Sequence, residues 1–95
     1  MATSIVKSRP DYIVRRQSIT DTGLHDYFNG STDAVVIPGY TPIGVVGWAE
    51  LSFGTVYFYV LRIDGTSINY AWRTVNDSSI RDHKFAVDVL YKKNG

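Results

Sequence analysis

Apolar and β-branched residues fall in short alternating runs along this chain, and the runs are separated by Gly, Pro, Asn, Asp and Ser. Alternation with a period of two marks strands with one buried face, and no window carries the 3.6-residue apolar recurrence of a long helix. Residues 12–20 (YIVRRQSIT) are rich in β-branched and aromatic types. Arg15, Arg16 and Gln17 are spread over both of their faces, which predicts a strand at a sheet edge or an interface. Residues 21–33 (DTGLHDYFNGSTD) carry turn chemistry, with Leu24, Tyr27 and Phe28 spaced for one short helical turn. Residues 34–37 predict a short strand stopped by Pro38-Gly39. Residues 43–51 predict a longer one reached through Thr41-Pro42, in which Gly44 and Gly47 mark bulges or a close approach of a neighbour.

The clearest local signal is residues 55–75 (TVYFYVLRIDGTSINYAWRTV), two strand-like runs about Asp64-Gly65. Asp-Gly between such runs indicates a hairpin, because the turn needs residues that tolerate positive φ. A two-residue turn, the preferred form, sets Tyr59 opposite Tyr70, Tyr57 opposite Trp72 and Leu61 opposite Ile68. A three-residue turn with a bulge sets Phe58 opposite Trp72 and Val60 opposite Tyr70. A slip of one residue exchanges the buried and exposed sets, so the register decides which aromatics are available. A polar turn at 76–79 leads to a last amphipathic strand at 85–91. About six strands at short spacing predict an all-β fold: an antiparallel β-sandwich, jelly-roll-like or a small barrel. It occupies residues 12–95 as a single domain behind a flexible N-terminal arm over residues 1–11.

Composition adds a requirement for partners. The chain has 95 residues, 44% of them hydrophobic and 14% aromatic, and no cysteine. A domain this small buries a modest share of its surface, and neither disulfides nor thiolate metal sites are there to help, so self-association is the expected remedy. A net charge of +1 gives no electrostatic footprint for nucleic acid or an anionic membrane. No apolar run approaches the ~18 residues of a membrane-spanning helix, and the N-terminus lacks the apolar core of a signal peptide. Synthesis in the cytoplasm without membrane insertion is the expectation.

Candidate chemistry is sparse. His25 and His83 each neighbour an aspartate, Asp26 and Asp82. Sequence neighbours on a strand point to opposite faces, and both histidines fall in stretches that read as solvated loops. With two histidines and scattered carboxylates, no metal site is expected, and no cofactor motif is present. A nucleophile elbow is absent; Asp33, Glu50, Asp64 and Asp88 are the carboxylates that glycoside hydrolysis would have to bring together. The aromatics remain. Tyr57, Tyr59, Tyr70 and Trp72 on one hairpin face, with Asn69 and Arg73 beside them, form the candidate ligand-binding set for a sugar ring, and Arg62 is a further hydrogen-bond donor nearby. Against it stands the usual fate of aromatic side chains, burial in a core or subunit interface.

Residues 39–48 (GYTPIGVVGW), followed by the aromatic hairpin with its Gly65-Thr66 turn and the closing VDVLYKK at 87–93, resemble the C-terminal tip modules of tail-fibre and baseplate proteins of bacteriophages and prophages. The resemblance covers residues 33–93. It implies a trimeric all-β module of a virion, made in the host cytoplasm, that is not an enzyme. Such a module contacts a bacterial surface glycan and joins other virion proteins through its N-terminal arm. Where such modules carry a longer polar loop after the Trp strand, this chain has only residues 49–54, and it starts at Met1 instead of ending a long fibre. Those departures fit a free-standing head fibre or capsid decoration protein, a purely architectural alternative. A small cell-wall glycan hydrolase is the third.

Overall fold

The computed structural model describes residues 9–52 and 54–95. Among them every regular element is a strand: β1 Tyr12–His25, β2 Tyr27–Asp33, β3 Tyr40–Glu50, β4 Val56–Asp64, β5 Ser67–Thr74 and β6 Ile80–Lys93. They form two antiparallel three-stranded sheets, ordered β1-β6-β3 and β2-β5-β4. The chain changes sheet at every connection except the β4–β5 hairpin. The two central strands supply the core from alternate positions: Phe85, Val87, Val89 and Tyr91 of β6, and Ile68, Tyr70 and Trp72 of β5. Each such side chain contributes on the order of 1.5–3 kcal/mol by leaving water. β1 is an edge strand, as its mixed faces predict, and β2 and β4 are the edges of the second sheet.

Six strands form, but one differs from expectation. Residues 21–33 make no helical turn: β1 runs on to His25 and β2 follows it. The turn chemistry of Thr22-Gly23 is used in a bulge, where the register to β6 shifts between Asp21 and Leu24. Gly23 lies at φ +101°, and its amide donates to Asp82 Oδ1 at 2.7 Å. β2 then alternates cleanly, with Phe28 packed against the core. Residues 34–37, expected as a strand, instead form an irregular connection whose backbone is satisfied by other means. The Gln17 amide donates to Asp33 O and accepts from Val35 N, both at 2.9 Å, and the Tyr91 hydroxyl donates to Val35 O at 2.7 Å. Pro38-Gly39 closes a turn in which Tyr40 N donates to Ile37 O at 3.0 Å. Gly39 at φ +84° takes the left-handed position that a type II turn reserves for glycine.

In β3 the register to β6 skips at Ile43 and at Val46, so the bulges foreseen at the glycines are present. Only Gly47 meets a close neighbour. A Cβ there would lie 3.1 Å from Asp88 Oδ2, whereas one at Gly44 would meet nothing within 4 Å. Residues 1–8 of the expected arm lie outside the described residues. Its last part is anchored: Arg9 sits 4.9 Å from the Tyr40 ring centre and donates to Pro38 O at 3.0 Å, and Lys93 N donates to Asp11 O at 2.7 Å.

Candidate functional site

The β4–β5 hairpin settles where the candidate aromatics go. Its turn has two central residues, but they are Gly65 and Thr66: Asp64 pairs with Ser67, Ile63 with Ile68 and Leu61 with Tyr70. Gly65 lies at φ +64° and Thr66 is not in the positive-φ region, the pattern of a II′ turn with glycine first. A bulge then inserts Tyr59, since Val60 pairs with Ala71 and Phe58 with Trp72. None of the pairs expected from the preferred register forms, and of those expected from the alternative only Phe58 with Trp72 does. The four aromatics therefore do not share a face. Tyr57 and Tyr59 are 46% and 54% exposed, while Tyr70 and Trp72 are 5% and 0% exposed. Tyr70 and Trp72 belong to the core.

The outer face of the β2-β5-β4 sheet is built from cross-strand rows. Tyr27, Arg73 and Tyr57 form one; Asn29, Ala71 and Val60 the next; Ser31, Asn69 and Arg62 the third; Asp33, Ser67 and Asp64 the last. Arg73 lies 5.8 Å from the Tyr27 ring centre. Small Ala71 in the middle leaves an open groove of about 500 Å³ lined by Asn29, Ser31, Tyr59, Arg62 and Asn69. The polar groups around it are oriented by one another. Tyr59 OH donates to Asn29 Oδ1 at 2.9 Å, Ser31 Oγ to Asn69 Oδ1 at 2.8 Å, and Asn69 Nδ2 to Asp64 Oδ2 at 3.2 Å. Of the candidate set, Tyr57, Tyr59, Asn69 and Arg73 thus lie on this face. Asn29 and Ser31, read in the sequence as turn residues, join them because β2 is a strand.

Beneath the sheet lies a second polar cluster. Asp21, 4% exposed, accepts hydrogen bonds from Trp72 Nε1 at 2.8 Å and from the Tyr70 hydroxyl. Burial first, and the Asp21 bond after it, push the Tyr70 phenol well above the usual tyrosine range. His83 is fully buried in β6, not in a loop, with Nε2 at 2.8 Å from Glu50 Oε2 and its ring 4.3 Å from Trp72, edge to face. Its Nδ1 has no partner among the described residues. His25 lies at the end of β1, its Nε2 2.8 Å from Thr22 O. These contacts fix the packing of the core side chains; Asp21, Glu50 and His83 do not line the groove. The sequence held a signal for His83, which continues the period-two series Phe85, Val87, Val89, Tyr91 by one step.

The four carboxylates do not converge. Glu50 holds His83, Asp88 holds Arg16 in a two-pronged pair at 2.8 and 3.0 Å, and Asp33 and Asp64 flank Ser67 in the other sheet. Among the described residues no group of three or more His, Asp or Glu side chains is placed to hold a metal ion. Among the described residues no helix is long and apolar enough to cross a membrane. Comparison with protein families, with curated proteins and with solved structures finds no match for the chain in any of the three.

Proposed function

We propose that the protein is a non-enzymatic structural and adhesion module of the bacteriophage fibre-tip kind, a virion component that holds a bacterial surface polysaccharide on the outer face of the β2-β5-β4 sheet. The observation that carries the reading is the groove beside exposed Tyr59, ringed by Asn29, Ser31, Asn69 and Arg62. A pyranose offers an apolar C–H face, which stacks on an aromatic ring, and a rim of hydroxyls, which amide, hydroxyl and guanidinium groups can bond. A groove this open binds a single sugar weakly, and several copies on one particle raise the avidity. Assembly as a trimer is part of the proposal. It is supported by exposed Val14, Leu24, Ile43 and Val46, between 47% and 57% accessible, apolar side chains that a subunit interface would take out of water. The N-terminal segment would join the trimer to other virion proteins.

An array of bacterial polysaccharides probed at high protein density tests adhesion. Wild type should bind at least one polysaccharide and Tyr59→Ala should lose it with an unchanged melting temperature. Binding to none would leave the architectural role as the better reading, and turnover of cell-wall fragments would replace both with a hydrolase. Light scattering of the purified protein should give a trimer; a strictly monomeric species would overturn the assembly.

A further inference from the structure

Arg62 is the one charged residue among those lining the groove. Its guanidinium has no ion-pair partner among the described residues, in contrast to Arg16, which Asp88 holds with two prongs. Two carboxylates stand one row further along the sheet, on Asp64 and Asp33, and both are engaged elsewhere. Asp64 Oδ2 accepts from Asn69 Nδ2 at 3.2 Å, and Asp33 Oδ1 accepts from Ser67 Oγ at 3.3 Å. Neither lines the groove. A ligand there meets a ring, amides, a hydroxyl and one unpaired fork of N–H donors. That fork matches the geometry of a carboxylate, which it can hold by two parallel bonds.

We infer that the groove selects a carboxylate-bearing sugar, a uronic acid unit within a polysaccharide, and that Arg62 determines this selectivity. The sugar stacks on Tyr59, Asn29 and Asn69 meet its hydroxyls, and its carboxylate closes on Arg62. Asp64 and Asp33, in the adjacent row, repel the anion through solvent, which weakens that repulsion more than it weakens a direct guanidinium contact. The inference rests on the carbohydrate-binding reading of the same face and goes one step past it.

The test uses polygalacturonate, alginate and hyaluronate, each immobilised beside its carboxyl-reduced neutral form, together with the neutral members of the polysaccharide array. Wild type, Arg62→Gln and Arg62→Lys are compared at low and high salt. Wild type should bind at least one of the acids about tenfold more tightly than its reduced form, a preference that shrinks as salt rises. Arg62→Gln should erase it, and Arg62→Lys, which keeps the charge without the fork, should restore part. Equal binding of acid and reduced forms, or binding of neutral polysaccharides alone, would overturn the selectivity and leave the carbohydrate-binding reading standing. A preference that survives Arg62→Gln would overturn the assignment to Arg62. Binding to nothing in either set would overturn both.

Discussion

Tyr57 and Tyr59 on β4 and Tyr70 and Trp72 on β5 are four aromatics of one hairpin that end in opposite environments. The first pair is about half exposed; the second is sealed against Phe28, Phe85 and His83 and bonded to Asp21. One residue makes the difference. Up to Val60 the register set by the Gly65-Thr66 turn pairs residues without a break; continued further, it would set Tyr59 opposite Trp72 and turn it inward. The bulge at Tyr59 shifts the phase, so Phe58 takes the place opposite Trp72 and packs on Phe85 at 4.9 Å between ring centres. A core and a recognition face are thus cut from the same composition by a single inserted residue, the re-aiming role for which bulges are known.

The contrast can be broken most forcefully at Trp72. Trp72→Ala removes a fully buried ring and leaves Asp21 short of a donor, and the expected loss is roughly 3–5 kcal/mol, a large part of the ~5–15 kcal/mol that stabilises a small domain. Tyr57→Ala, on the outer face, should stay within about 0.5 kcal/mol of wild type. Paired urea melts measure both, and similar losses for the two would erase the distinction. As a probe of adhesion Trp72→Ala is therefore unsuitable, because it reports on folding.

A smaller effect is expected at Tyr70. Tyr70→Phe keeps the ring and deletes the hydroxyl, leaving Asp21 with the Trp72 donor alone, for a loss of about 1–3 kcal/mol. It should also change the response to alkali. The Tyr70 phenol is raised chiefly by burial, and Tyr91 is raised for the same first reason. A group whose folded pKa is raised stabilises fully below its unfolded pKa and ceases to do so as pH rises past it. Stability should therefore fall above about pH 10, and Tyr70→Phe should show a shallower fall. An identical alkaline slope in wild type and variant would contradict the assignment.

The smallest expected effect lies on the solvent side of the other sheet. The Arg16 guanidinium, through its hydrogen bond first, holds the Asp88 carboxyl below its usual range. The sign is opposite: this stabilisation is present above the unfolded carboxylate pKa and is lost as pH falls through the folded one. The pair is open to solvent, so Asp88→Asn should produce only a slight change in melting temperature at neutral pH, fading with added salt and at low pH. A change as large as that of Tyr70→Phe would mean that the outer contacts matter as much as the inner ones.

Much of the architecture was legible in the chain. Period-two runs and turn residues gave the strands, the arginines of β1 marked an edge, and the glycines of β3 marked its bulges. What was not legible depended on long-range partners. Residues 21–33 read as turns because Gly23 and Gly30 look like punctuation. Gly23 serves a bulge, and Gly30 is a strand residue whose missing Cβ makes room for the Tyr70 ring, 2.5 Å from where that atom would be. Residues 34–37 look like a strand, but their backbone bonds go to Gln17, Thr66 and Tyr91, which no local pattern reveals. The Tyr59 bulge has no local signature either. It follows from fitting Phe58 against Trp72 and Phe85, and the face of every residue before it on β4 changes with it.

Tyrosine nitration of the native protein, mapped residue by residue by mass spectrometry, tests that partition most directly. Rapid modification of Tyr57 and Tyr59 is expected, with Tyr70 protected until the protein is unfolded. Nitration of Tyr70 as fast as Tyr59 in the folded state would contradict the partition.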